Sequence, residues 1–156
     1  MEMQLEGSCH CRAVRFRVTA GAPMPFNLCY CAICRKTAGA GGFAINLGAD
    51  LRTVEVGGGD AVRSYRARLG EGSKSPAERG FCGACGSQLW LWDPRWPEQV
   101  HPHASAVDTP LPVPPHRWHM MLAARPDWVV DCVADQDRSF DEYPDRSLAD
   151  WHEENA

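Results

Sequence analysis

The cysteines of this chain are concentrated in three short clusters, and their spacing constrains the fold more than any other feature. Seven of the eight cysteines fall in C-x-C, C-x-C-x-x-C and C-x-x-C patterns, namely Cys9 and Cys11, then Cys29, Cys31 and Cys34, then Cys82 and Cys85. A structural zinc site is closed by four ligands, whereas a catalytic zinc site keeps one position open. Two clusters of two thiols therefore fit one closed site, and the cluster of three is one ligand short.

The length and charge of the chain predict an ordinary globular protein. With 156 residues, it is expected to form a single domain spanning residues 1–156, with a peripheral C-terminal tail from about residue 135 to residue 156. The formal net charge of −4 argues against a nucleic-acid partner, because such binding needs a dense positive surface. The sequence contains no apolar run long enough to cross a bilayer, so no membrane partner is expected.

The start of the chain indicates the redox setting of the cysteines. Residues Met1 to Glu6 contain acidic side chains and no apolar core, so they do not resemble a secretory signal. We therefore expect a cytoplasmic protein, in which clustered cysteines bind metal rather than form disulfides. Disulfides remain the alternative for an exported protein whose signal has been removed.

Short hydrophobic patterns separated by glycine and proline predict a mainly β fold. Val14, Phe16 and Val18 alternate with polar residues, which is typical of a half-buried strand. Short helices are predicted at residues 34–40 and 147–154. Further strands are predicted at residues 43–47, 62–67, 88–92, 118–122 and 128–133.

The two outer clusters are suited to one closed zinc site. Zn–S bonds of about 2.3 Å place the sulfur atoms of a tetrahedral site roughly 3.7 Å apart, and a C-x-x-C turn aims two sulfurs at one point. A C-x-C segment places two thiols on one side of a strand, with His10 pointing away. We group Cys9, Cys11, Cys82 and Cys85 on this basis, although spacing alone leaves open that the middle cluster supplies some of the ligands.

The middle cluster, Cys29, Cys31 and Cys34, has no obvious fourth ligand. Zinc held by three thiolates is electron-rich, so it suits a soft ligand such as a substrate thiol better than it activates water. A zinc-bound thiol is deprotonated and therefore nucleophilic at neutral pH. The alternative is a second closed site, completed by Cys132 or a histidine. Cys132 lies in an apolar pattern, and we predict that it is buried in the core.

The segments around the cysteines carry a family resemblance. The first motif is Gly7-Ser8-Cys9-His10-Cys11, the second runs from Cys29 to Lys36, and the third runs from Arg79 to Leu89. Weaker similarity continues at residues 115–118 and 126–128. Together these motifs resemble the GFA family, the glutathione-dependent formaldehyde-activating enzymes and their centromere-protein-V-like relatives. Tyr30 departs from the family pattern, which often has histidine at that position.

The resemblance implies a fold, a division of the cysteines and a reaction. The fold would be a mainly β, zinc-bound β-tent of antiparallel sheets with short helical segments. The reaction would join the thiol of glutathione to formaldehyde, or act on a related pair of thiol and electrophile, in the manner of a carbon–sulfur lyase. A non-catalytic zinc-binding module, acting as a thiol carrier or a protein-docking domain, is the alternative on the same fold. The implied cofactors are two Zn(II) ions, one structural on Cys9, Cys11, Cys82 and Cys85 and one open and catalytic on Cys29, Cys31 and Cys34.

Glutathione as the partner would require cations in the site, because it carries two carboxylates. Arg35, Lys36 and Arg79 flank the cysteine motifs and are the predicted substrate-binding residues. His116 or His119 is predicted to protonate the product oxygen, with His116 also a candidate substrate contact, because imidazole titrates near neutrality. Four tryptophans in the strand patterns are predicted to lie in the core or the pocket wall, namely Trp90, Trp92, Trp118 and Trp128.

Overall fold

The protein is mainly β, as the sequence predicts. The computed structural model describes residues 1–21 and 25–155, which contain two α-helices, α1 (Ala32–Ala38) and α2 (Leu148–Asn155). Within those residues, no helix is both long and apolar enough to span a bilayer. The strands are β1 (Glu2–Ser8), β2 (Arg15–Gly21), β3 (Phe26–Cys29), β4 (Ala44–Asn46), β5 (Ala49–Asp50), β6 (Glu55–Gly57), β7 (Val62–Tyr65), β8 (Glu78–Cys82), β9 (Gln88–Trp92), β10 (Gln99–Pro102), β11 (Arg117–Met120) and β12 (Arg138–Ser139).

The larger sheet contains eight strands, and its pairings are antiparallel. Its order is β1-β2-β5-β10-β9-β8-β7, and β6 pairs with β2 outside this path. In β2, Phe16 and Val18 are buried while their neighbours along the strand face outward, as the period-two pattern predicts. The main hydrophobic core lies against this sheet and includes Leu5, Leu47 and Leu89.

The smaller sheet has the order β12-β11-β3-β4. β3 and β4 are antiparallel, whereas β11 runs parallel to both β3 and β12. Parallel neighbours need a long crossover connection, and the chain between β4 and β11 makes it by way of the larger sheet. As a result, Cys29 at the end of β3 lies opposite Met120 at the end of β11.

The strand predicted at residues 128–133 is wrong. The N–H of Val129 donates to the carbonyl oxygen of Pro126 at 3.1 Å, so the chain turns here instead of pairing with a sheet. Only Val129 is buried within this run, and Trp128 is 62% exposed rather than part of the core or the pocket wall. Cys132 is exposed too, so its predicted burial is also wrong. The apolar letters resemble a strand, but the turn leaves them without a strand partner.

The C-terminal segment adds β12 to the edge of the smaller sheet and ends in α2. β12 pairs with β11, and α2 buries Trp151, which is 1% exposed. Ser147 caps α2, because the N–H of Asp150 donates to Ser147 Oγ at 3.1 Å and the N–H of Ser147 donates to the Asp150 carboxylate at 2.8 Å. The segment therefore contacts the chain around β11 through β12 and Trp151.

Candidate metal centres and their cavity

The two outer cysteine clusters meet in space. The sulfur atoms of Cys9, Cys11, Cys82 and Cys85 all lie within 4.8 Å of one another. Cys9 Sγ lies 3.6 Å from Cys11 Sγ, and Cys11 Sγ lies 3.8 Å from Cys82 Sγ. Tetrahedral zinc–thiolate geometry requires about this separation. All eight cysteines lie in the described residues, and none forms a disulfide.

Two turns bring these four thiols together. At the end of β1, the N–H of Arg12 donates to the Cys9 carbonyl at 2.9 Å, and Arg12 adopts a left-handed φ of 62°. After β8, the N–H of Gly86 donates to the Cys82 carbonyl at 2.8 Å, with φ of 78° at Gly86. Glycine adopts this φ without steric cost, so it suits the knuckle. Each turn therefore presents two thiols to a common point.

The middle cluster forms a second, separate group. The sulfur atoms of Cys29, Cys31 and Cys34 lie within 4.8 Å of one another. Cys29 ends β3, and Cys31 caps α1 by accepting a hydrogen bond from the N–H of Cys34 at 3.3 Å. Among the described residues no fourth cysteine, histidine or carboxylate joins this group. Cys132, considered above as a fourth ligand, instead has its Sγ 3.5 Å from the hydroxyl of Tyr30.

The three thiols of this cluster cannot easily ionise together. The contact with Cys31, then that with Cys34 and burial, raises the pKa of Cys29. Hydrogen bonds from Cys29 and Cys34 lower the pKa of Cys31. One thiolate is thus favoured, and adjacent negative charge opposes the others. A cation with affinity for soft thiolate ligands would relieve this repulsion, which makes the cluster chemically suited to Zn(II).

Arg79 supplies a fixed positive charge beside the middle cluster. It is 6% exposed, and its two terminal guanidinium nitrogens lie 3.6 and 3.7 Å from Cys34 Sγ. The amide of Asn46 approaches the same sulfur at 4.0 Å. Because guanidinium stays protonated, it favours negative charge on the thiolates without exchanging a proton.

The middle cluster opens into a cavity of about 600 Å³, which lies within the usual size range of ligand pockets. Cys29, Cys31 and Cys34 line it, together with Arg79. Much of the remaining wall is apolar and comes from α1, β9, β11 and the C-terminal segment, through Ile33, Leu91, Trp118, Met120, Met121 and Leu148.

The other predicted substrate contacts lie elsewhere. Arg35 and Lys36 line a separate cleft of about 550 Å³ beside Cys9 and Gly86, and they are not among the residues lining the 600 Å³ cavity. Their position follows from α1, because Cys34 faces inward while the next residues turn toward the four-thiol cluster. His116 is also absent from the cavity wall, since its Nε2 accepts a hydrogen bond from the indole of Trp151 at 2.8 Å.

His119 belongs to a buried polar chain rather than to the cavity. The Tyr30 hydroxyl donates to His119 Nδ1 at 2.8 Å, and His119 Nε2–H donates to Asp137 at 3.0 Å. Burial opposes ionisation of Asp137, but hydrogen bonds from the N–H groups of Arg117 and Ala134 hold the pKa of this carboxyl below its usual value. Both ring nitrogens of His119 are therefore engaged, and the chain ties the cysteine loop to the C-terminal segment.

The cavity contains residues that sequence reasoning missed. His101 in β10 lines it, with Nδ1–H donating to the Leu47 carbonyl at 2.9 Å. Burial lowers the pKa of His101, so the ring is neutral at pH 7 and Nε2 is left as a proton acceptor. No short motif marks His101, because its place in the cavity depends on the pairing of distant strands. Arg146 and Leu148 were also missed, because no local pattern shows that the C-terminal segment returns to the cavity wall.

These features define a class of mainly β protein that carries one four-thiol and one three-thiol cluster, each arranged for a metal ion. The family model described as glutathione-dependent formaldehyde-activating enzyme, GFA, matches residues 4–122. The chain therefore belongs to the GFA family, as its motifs predict.

Two known proteins are similar to this chain. A curated protein of Halomonas elongata, with the provisional name glutathione-dependent formaldehyde-activating enzyme, is 58% identical over 150 residues, covering 96% of this chain and 95% of the relative. A crystal structure of a Rhodobacter sphaeroides protein is 26% identical, with a TM-score of 0.50, and the match covers 70% of this chain and 92% of that one. The first similarity extends through the C-terminal segment, beyond the end of the family model.

Proposed function

We propose that this protein is a zinc-dependent carbon–sulfur lyase-type enzyme that condenses glutathione with formaldehyde to S-(hydroxymethyl)glutathione. The observation that carries the proposal is the contrast between a complete four-thiol cluster and a three-thiol cluster that lines a cavity. Family membership and the name of the Halomonas relative support glutathione and formaldehyde as the reactants.

The residues present suit two zinc ions. Cys9, Cys11, Cys82 and Cys85 would complete a structural site, because four thiolates fill a tetrahedron. The second site would be held by Cys29, Cys31 and Cys34. Bound there, Zn(II) would lower the pKa of a substrate thiol and keep it ionised at neutral pH.

The reaction adds a thiol across a carbonyl group. The S–H bond of the thiol breaks, a C–S bond forms to the carbonyl carbon, and the carbonyl oxygen gains a proton. No redox change occurs, so thiol and aldehyde are the only reactants. The residues of the chain must therefore bind the thiol, balance its charge and move one proton.

Arg79 and His101 are suited to two of these tasks. The guanidinium of Arg79 stabilises negative charge at Cys34 and limits repulsion when a further thiolate enters. His101 takes the place that His116 and His119 held in the sequence prediction, because it is the neutral imidazole that lines the cavity. Its Nε2 would accept the thiol proton and return it to the oxygen, the usual behaviour of a general acid–base residue.

The apolar cavity wall would limit water around the reacting groups, which strengthens the electrostatic effect of Arg79. A cytoplasmic location is proposed with this function, since glutathione chemistry requires reduced thiols and the chain carries eight cysteines without a disulfide. A single domain over residues 1–156 is likewise proposed.

The test compares S-(hydroxymethyl)glutathione formation with and without zinc-loaded protein, by exchange NMR of glutathione and formaldehyde. The uncatalysed reaction proceeds measurably, so the protein must exceed this background. Acceleration by the wild type, with loss of acceleration in His101→Gln, would support the proposal. A zinc-loaded protein that never exceeds background would contradict the enzyme assignment and favour the non-catalytic zinc module.

A further inference from the structure

The C-terminal segment forms one wall of the 600 Å³ cavity. This wall lies beyond residue 122, where the match to the family model ends. This wall of the cavity is therefore formed by residues outside both the cysteine motifs and the segment that the family model matches. Its lining residues are Tyr143, Pro144, Arg146, Ser147, Leu148 and Ala149.

Two polar atoms without a hydrogen-bond partner in the described part of the chain lie in residues of the cavity wall outside the C-terminal segment. Trp118 and Asn27 lie opposite each other on β11 and β3, and both line the cavity. Trp118 Nε1 and Asn27 Oδ1 are buried without a hydrogen-bond partner among the described residues. Buried polar groups are normally paired, so these two atoms leave the wall beside β3 and β11 incompletely satisfied.

Arg146 is the cation of this wall that can be recruited by a ligand. Its guanidinium pairs with Glu154 of α2, and the two side chains are 40% and 43% exposed. Exposed ion pairs contribute little to stability, so exchange of one carboxylate for another costs little. The pair also opposes the helix dipole, because the arginine precedes the N-terminus of α2 and the glutamate lies in its last turn.

The other arginine at the cavity rim is less available. Arg95 binds Asp93 through Nε and Nη2, with distances from 2.6 to 3.1 Å, and the Asp93 side chain is 5% exposed. Releasing Arg95 would leave a buried carboxylate without its partner, which is costly. A ligand carboxylate is therefore better matched to Arg146.

We propose that Arg146 is a specificity-determining residue that binds a carboxylate of a peptide thiol. When no ligand is bound, Glu154 forms an ion pair with the Arg146 guanidinium in its place. The assignment rests on the proposed function, because it places the thiol end of the ligand at Cys29, Cys31 and Cys34. Small neutral thiols would reach the cysteines without using this contact.

The test measures binding of S-methylglutathione, which keeps both carboxylates but has no free thiol, to the zinc-loaded full chain by calorimetry. Arg146→Gln should weaken binding about tenfold, as expected for loss of a charge-assisted hydrogen bond. Glu154→Gln should leave binding equal or tighter, because the competing carboxylate is gone. Arg66→Gln is the matched control, since Arg66 forms a similar exposed pair with Glu78 and neither residue lines the cavity.

Three outcomes would overturn the assignment. The first is equal weakening by Arg146→Gln and Glu154→Gln, which would mean that the pair only supports the fold. The second is an equal effect of Arg146→Gln on the apparent KM for glutathione and for 2-mercaptoethanol. The third is absence of S-methylglutathione binding by the wild type. Arginine-dependent binding without catalysis would instead contradict the proposed reaction and support the carboxylate site.

Discussion

The two cysteine groups differ in the number of thiols, in how far apart these lie along the chain and in the space beside them. The four-thiol group joins a turn after β1 to a turn after β8, and its four sulfur atoms are enough to fill a tetrahedral metal site. The three-thiol group spans only six residues and faces a cavity. The three-thiol group has one thiol fewer than the other group and has a cavity beside it. The four-thiol group links distant strands, whereas the three-thiol group is local and lies beside a cavity that has room for a ligand.

The largest expected effect comes from breaking the closed group. Cys82→Ser removes one of the four thiols of the cluster that links β1 to β8, and Cys82 is fully buried. We expect a loss of about 5 kcal/mol in the free energy of unfolding, or failure to fold, since structural zinc contributes folding energy directly. Urea denaturation with metal analysis measures this. The exposed Cys132→Ser should match the wild type, and a stable, fully folded Cys82→Ser protein would contradict a structural role.

Breaking the open group should have the opposite signature. Cys31→Ser should lose one bound zinc and all activity above background, while the free energy of unfolding changes by about 1 kcal/mol or less, because this cluster joins neighbouring residues only. Zinc stoichiometry, exchange NMR and urea denaturation measure the three quantities. Activity equal to that of Cys132→Ser would remove the three-thiol group from the reaction.

The spacing of the cysteines is local information, and the structure brings together the thiols that the spacing grouped. Arg35 and Lys36 show the limit of such reasoning, because closeness to Cys34 in sequence does not determine which side of α1 faces the cavity. His101 and Arg146 could not be predicted, since their positions depend on β10 pairing within the larger sheet and on the return of the chain before α2 to the cavity wall.

The apolar pattern around Cys132 was misleading for a related reason. Alternation predicts a strand only where a partner strand is available, and the turn from Pro126 to Val129 removes this segment from both sheets. In contrast, the pattern of Phe16 and Val18 was sufficient, because β1 is a direct neighbour in sequence and in the sheet. The fold class was therefore predictable, while the parallel pairings of β11 were not.

Acidification should lower the free energy of unfolding through His103, which lies near the three-thiol group. His103 Nδ1 is bonded to Asn46, whose amide approaches Cys34, and burial lowers the pKa of His103 to about 4. An unfolded histidine titrates near 6.5, so the folded protein binds fewer protons below that pH. Titration of His103 therefore leaves the free energy of unfolding unchanged above pH 6.5 and lowers it by about 3 kcal/mol as the pH falls to 4.

Urea denaturation between pH 7 and pH 4 tests this contribution of His103. Protonation of cysteine ligands also destabilises the protein at low pH, so the informative quantity is the difference between the wild type and His103→Gln. The variant should lose about 3 kcal/mol less over this range. The exposed His10→Gln serves as control and should follow the wild type. Parallel curves for the wild type and His103→Gln would show that this histidine does not carry the effect.

The smallest expected effect concerns the buried chain that holds the open group in place. Tyr30 lies between two cysteines of that cluster and donates to His119, which donates to Asp137. Tyr30→Phe removes the hydrogen bond to His119 and the weaker contact with Cys132, and it leaves His119 Nδ1 buried without its donor, so the free energy of unfolding should fall by about 1 kcal/mol. Zinc competition should show weaker binding at the three-thiol group and unchanged binding at the four-thiol group, with the exposed Tyr65→Phe as control. Equal weakening of both zinc ions would mean that the chain supports the whole fold, and the two groups would then be less independent than their separation indicates.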